Sequence, residues 1–91
     1  MGRGSNMEVL VGRVYRHFKG DLYLIEGIAV DSETKVKMVV YRALYGDFTL
    51  YVRPYDMFIE KTDKNKYPLA TQEYRFQLVE IESKANKFLG K

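Results

Sequence analysis

Tyr41-Arg42-Ala43-Leu44-Tyr45-Gly46-Asp47-Phe48-Thr49-Leu50-Tyr51-Val52-Arg53-Pro54 sets a turn signal, Gly46-Asp47, between two runs of aromatic, branched and aliphatic residues. Such a pattern predicts a β-hairpin, whose side chains alternate between two faces. With a two-residue turn, Tyr45 faces Phe48, Ala43 faces Leu50 and Tyr41 faces Val52, making one apolar side with Val39. The other side then carries Met38, Val40, Arg42, Leu44, Thr49, Tyr51 and Arg53. A three-residue loop that set Tyr41 against Arg53 and Arg42 against Val52 would spoil both sides, so the two-residue turn is expected. The choice matters because a slip of one residue sends every side chain of a strand to the opposite face.

Outward from this hairpin, turn signals recur at short intervals. Gly20-Asp21 follows Val9–Lys19, Asp31-Ser32-Glu33-Thr34 follows Leu22–Val30, and Pro54 closes Thr49–Arg53. Strands at this spacing form a meander, and no interval has room for the crossover helix of a parallel pair. The register of the Gly20-Asp21 hairpin stays open, since either choice mixes polar and apolar residues. Gly20 and Gly46 suit the positive φ of hairpin turns, and Gly27, mid-strand, suggests a bulge or a sharp bend. After Pro54, which cannot donate to a ladder, Tyr55-Asp56-Met57-Phe58 suits a helical turn whose Met57 and Phe58 cap one end of the fold. Lys61–Pro68 is a polar, lysine-rich loop. Tyr74–Val79 alternates as a strand, with a short helix expected beyond it.

The chain's 91 residues, 46% hydrophobic and 30% charged, are ordinary values for one small folded domain. Eight tyrosines and five phenylalanines favour strands. There is no cysteine, which excludes a disulfide, a thiolate nucleophile and cysteine-bound zinc. No apolar run or signal-peptide pattern indicates a membrane, so a cytoplasmic location is the expectation. Residues 1–6 look like an expression-tag remnant, 7–80 the domain, and 81–91 a C-terminal tail. The formal charge of +3 includes Arg3 and is carried largely by the lysines after Glu60. A nucleic-acid binder concentrates base on the folded domain itself, so nucleic acid is the less favoured partner.

Tyr15-Arg16-His17-Phe18-Lys19-Gly20, Gly27-Ile28-Ala29, Ser32-Glu33-Thr34 with the run Met38-Val39-Val40-Tyr41-Arg42-Ala43-Leu44-Tyr45-Gly46-Asp47, Val52-Arg53-Pro54 and Met57-Phe58 together resemble a small bacterial family of uncharacterised domains. Its signature is YRHFKG…VVYRALYGD…VRPxxMF, and the resemblance runs from about Val14 to Glu60. It implies an SH3-like barrel or roll and no particular activity. Two departures stand out: the family usually has Trp where this chain has Tyr51, and the stretch after Glu60 matches poorly.

Two constellations carry chemistry. Arg42, Tyr51 and Arg53 are expected to be neighbours on the outward side, where two guanidiniums around an aromatic ring make a clamp for a carboxylate, a phosphate or a stacked base. The plainer reading is sheet cover, with each arginine paired to a nearby carboxylate. In Tyr15-Arg16-His17-Phe18, alternation puts Tyr15 and His17 on one side and Arg16 and Phe18 on the other. His17, the one histidine, is either a pH-sensitive contact or a structural ring. A metal site is not expected from one histidine and scattered carboxylates, and no glycine-rich phosphate loop or paired nucleophile is present.

The expected function is therefore a non-catalytic binding module, without cofactor, using an Arg/aromatic face for a peptide or another anionic ligand. The alternatives are a nucleic-acid-binding module and a small enzyme with His17 as acid–base and Arg42 and Arg53 as anion clamp. A homo-oligomer is a further expectation, because Met38, Val40 and Leu44 make the second face apolar.

Overall fold

The computed structural model describes residues 8–80, so the expected tag remnant, C-terminal helix and tail lie outside the described residues. Five strands and one helical turn follow in the order β1 (Val14–His17), β2 (Leu22–Val30), β3 (Lys37–Ala43), β4 (Leu50–Pro54), α1 (Tyr55–Phe58) and β5 (Phe76–Leu78). They make one antiparallel sheet of order β4-β3-β2-β1-β5. The meander is as the turn spacing predicts, and β5 returns to pair with β1.

Among the described residues β4 and β5 are the two edges and no ladder joins them, so their sheet is not a hydrogen-bonded closed barrel. It curls instead, and side chains close the curl. Phe76 of β5 stacks on Phe58 of α1 at 4.1 Å and meets Tyr41 of β3 edge-on at 5.6 Å. The bend starts in β2, where the register shifts between Ile25 and Gly27 and leaves Glu26 as the extra residue. This is the bulge that Gly27 announced, and such a bulge increases local twist.

The core is Val9, Tyr15, Ile25, Val39, Tyr41, Phe58 and Phe76, all on the concave side of the sheet or against it. Pro54 leads into α1, which buries Phe58 completely while Met57 turns to solvent, so only one of the two expected end-capping residues does that work. Val9 seals one end of the roll, its N–H donating to Tyr55 Oη. Asp31 Oδ1 accepts the N–H groups of Glu33 and Thr34, the turn geometry expected there. Those two N–H donors hold the Asp31 carboxyl below its ordinary pKa.

The decisive hairpin departs from expectation. Phe48 N–H does donate to Tyr45 O across Gly46-Asp47, and Gly46 has a φ of 58°. Yet Ala43 N–H donates to Thr49 O, so the β3 side has one more residue, Leu44, than the β4 side between these two bonds. Phe48 takes a φ of 57°, a left-handed conformation a bulky side chain seldom adopts. Beyond this irregularity Tyr41 pairs with Tyr51, Val39 with Arg53 and Arg42 with Leu50. The parity of β4 is thereby inverted. Tyr51 and Arg53 turn to the concave side, and Leu50 and Val52 to the convex one with Arg42.

Candidate functional site

The expected Arg42–Tyr51–Arg53 clamp does not form, because the hairpin bulge separates its members. Arg42 lies on the convex face, where its Nε donates to Glu26 Oε2 at 2.7 Å and its Nη1 to Phe48 O at 3.0 Å. Its charge and its fork are both used, as the sheet-cover reading supposed.

Tyr51, Arg53 and His17 instead share the concave face, where a mouth forms around two rings: Phe76, approached by His17 and Arg53, and Tyr23, approached by His17 and Tyr51. Arg53 Nε donates to Tyr41 Oη at 3.1 Å, and the guanidinium carbon stands 5.6 Å from the Phe76 ring centre. Among the described residues no carboxylate pairs with Arg53, although Arg13, Arg42, Lys61 and Arg75 each have one. Tyr51 packs its ring beside Tyr41 at 5.7 Å and Tyr23 at 6.5 Å. Tyr23 completes the rim, sharing a 2.8 Å hydrogen bond with the Tyr45 hydroxyl. Burial and that bond push the Tyr23 hydroxyl well above its ordinary pKa, so it stays protonated.

His17 stands over Phe76, ring centres 4.9 Å apart, and beside Phe18 at 4.5 Å. Burial lowers its pKa to about 4, helped by the positive charges of Arg75, Arg53 and Lys19 and opposed by Asp21. The imidazole is therefore neutral at pH 7. Its Nδ1 accepts the Lys19 N–H at 3.1 Å, which assigns the proton to Nε2. The ring thus offers a donor and has no lone pair left over. Arg75 donates to Glu60 Oε1 through Nη2, while its buried Nε has no partner among the described residues.

Of the other expected site residues, Tyr15 is buried in the core with its hydroxyl accepting the Leu10 N–H, and burial raises its pKa. Arg16 points to the convex side, paired in register with Leu22 and Gln77. Phe76, Tyr23, Tyr41 and Arg75 were not anticipated as site residues. Alternation about Gly46 already put Tyr41 on the inward face, whereas Phe76 and Arg75 join only through the long-range β1–β5 pairing.

A separate open pocket of about 380 Å³ is lined by Phe18, Lys66, Tyr67, Pro68, Leu69 and Ala70. Phe18 is its link to the mouth, but Arg53, Tyr51 and His17 do not line it. Its lining is mostly apolar, with Lys66 as its one charged residue. Among the described residues no three or more His, Asp or Glu side chains come together as a metal would require. No helix among them is long and apolar enough to cross a membrane.

Comparison with known proteins agrees with this architecture. The family described as "Protein of unknown function (DUF1653)" matches residues 13–78, a stretch that continues well past Glu60. A crystal structure of a protein belonging to DUF1653 from Bordetella bronchiseptica is similar, with 31% identity, a TM-score of 0.64, and coverage of 81% of this chain and 92% of that one. No curated protein matches the chain.

Proposed function

Since the chain belongs to the DUF1653 family, whose function is unknown, we propose on the chemistry of its concave mouth that it is a small binding module for an anionic ligand. Arg53, a guanidinium without a carboxylate partner among the described residues, carries this reading. It is held between Tyr41 Oη and the Phe76 face, and its remaining N–H groups, without a partner among the described residues, suit a bidentate contact. The His17 Nε2–H is a second donor, and Tyr51 and Tyr23 supply flat walls. A site composed of donors around one cation suits a carboxylate or phosphate. The curled sheet with a helical turn after β4 also fits an SH3-like roll, a fold that hosts many binding roles.

The enzymatic alternative has less support. A neutral histidine whose Nδ1 is occupied is neither a ready acid nor a free base at pH 7, and the second clamp arginine, Arg42, is on the other face.

The test follows the His17 ring by proton NMR through a pH titration, with and without inorganic phosphate. An anion at Arg53 offsets the surrounding positive charge and raises the His17 midpoint by roughly half a unit or more. Arg53→Ala abolishes the phosphate-induced change and Arg42→Ala preserves it. A midpoint indifferent to phosphate in the unaltered protein overturns the proposal.

A further inference from the structure

The proposed anion site lies beside β4, an edge of the sheet among the described residues, and the two share the side chains of that strand. Ala43 and Thr49 are a hydrogen-bonded pair, so Tyr41/Tyr51 and Val39/Arg53 are too, every second pair of an antiparallel ladder being alike. The N–H and C=O groups of Tyr51 and Arg53 therefore face β3. Those of Leu50 and Val52, with the Pro54 C=O, face away from the sheet. β4 is an edge, and Leu50, Tyr51 and Val52 are 47%, 41% and 61% exposed. It lacks the usual protection of an edge: no lysine lies within Leu50–Pro54, and its one proline is the last residue. The other edge, β5, has only three residues, with Gln77 on its convex side.

We infer that β4 accepts an extended acidic peptide as an added antiparallel strand, with a Glu or Asp of the peptide opposite Arg53. The inference rests on the anion site proposed above and names its partner class. The peptide residue opposite Val52 exchanges both backbone hydrogen bonds with it and points to the convex face, against exposed Val52 and Leu50. Residues opposite Arg53 and Tyr51 occupy the non-hydrogen-bonded positions, where facing side chains come closest, and point to the concave side. An acidic side chain opposite Arg53 meets a guanidinium that has no carboxylate partner among the described residues. Alternation of apolar and acidic residues is thus what the edge selects, and backbone pairing supplies the rest of the affinity.

The probe is a pentapeptide blocked at both ends, with valine at its first, third and fifth positions, glutamate at the second (opposite Arg53) and threonine at the fourth. Binding is followed by calorimetry and by the His17 ring resonance, and the protein's mass is measured at the same concentration. Saturable binding is expected. N-methylation at the third residue, which removes the donor to Val52, abolishes it. Replacing the peptide's glutamate by glutamine weakens binding roughly ten- to a hundredfold. In Arg53→Ala the glutamate and glutamine peptides bind equally. An N-methylated peptide that binds as well as its parent overturns the strand-addition inference, as does a protein already paired with a second copy through β4. If the peptide fails while phosphate still moves His17, the inference alone falls. If phosphate fails as well, the anion site falls with it.

Discussion

Arg42 and Arg53 sit on adjacent strands of the same hairpin, yet they live in different electrostatic worlds. Arg42, on the convex face, is matched by Glu26, the extra residue of the β2 bulge, and by the Phe48 carbonyl. Arg53, on the concave face, has a phenol and a phenyl ring for neighbours and no carboxylate among the described residues. A matched arginine stabilises a sheet, while on the reading proposed above the other, in its half-buried aromatic setting, is left to attract an anionic ligand. Two irregularities produce the contrast. One adds Glu26 to β2 and supplies Arg42 with a partner. The other adds a residue at the β3–β4 turn and sends Arg53 inward, beyond the reach of that partner.

The most severe way to break the contrast is to remove its floor. Phe76 stacks on Phe58, faces Tyr41, Tyr23 and His17, and lies under Arg53. Phe76→Ala leaves a cavity there and is expected to cost about 3–5 kcal/mol, measured by urea denaturation. Val52→Ala on the exposed convex face is expected to cost less than about 0.5 kcal/mol. Equal costs would mean that the concave face is not the core.

A milder lever is pH. Folded His17 takes up its proton near pH 4, whereas the unfolded chain does so near the ordinary 6.5. Between those values the unfolded state carries the extra proton, so acidification favours unfolding. The contribution is complete above about pH 6.5 and is lost as pH falls towards 4. Allowing for solvent screening of a partly exposed ring, it amounts to about 1–3 kcal/mol. His17→Phe, which keeps an aromatic ring but cannot titrate, should flatten the denaturation midpoint between pH 7 and pH 5 relative to the parent. An unchanged pH slope would place the lost stability in the carboxylates instead.

Much of this was legible in the residues themselves. Gly20, Gly46 and Gly27 announced two positive-φ turns and a bulge because glycine is where backbone freedom is used. Pro54 announced the end of β4 and the start of α1 because it cannot donate. The inverted parity of β4 carried no such mark. It depends on Phe48, a residue whose type argues against a left-handed φ, and on one uncounted residue, Leu44, whose aliphatic side chain suits either face. The return of β5 to β1 was equally silent, since alternation in Tyr74–Val79 identifies a strand but not its partner. Both arginines were thus legible as cations of this hairpin, and the separate faces on which they lie were not.

Phe48 therefore offers the finest adjustment. Its φ of 57° is costly for a residue with a β-carbon, and the residue is more than half exposed, so little packing repays the strain. Phe48→Gly removes the clash while retaining the Phe48 N–H bond to Tyr45 and the carbonyl that Arg42 Nη1 contacts. Part of the gain is offset by the greater freedom of glycine in the unfolded chain. A net stabilisation of about 0.5–1 kcal/mol is expected by urea denaturation, with Arg53 still directed inward and the His17 midpoint still low. A loss of stability of similar size would mean that the phenyl ring, rather than the backbone around Gly46, holds the extra residue in place. Tolerance of a smaller side chain at position 48 would then come at the expense of the very register that separates the two arginines.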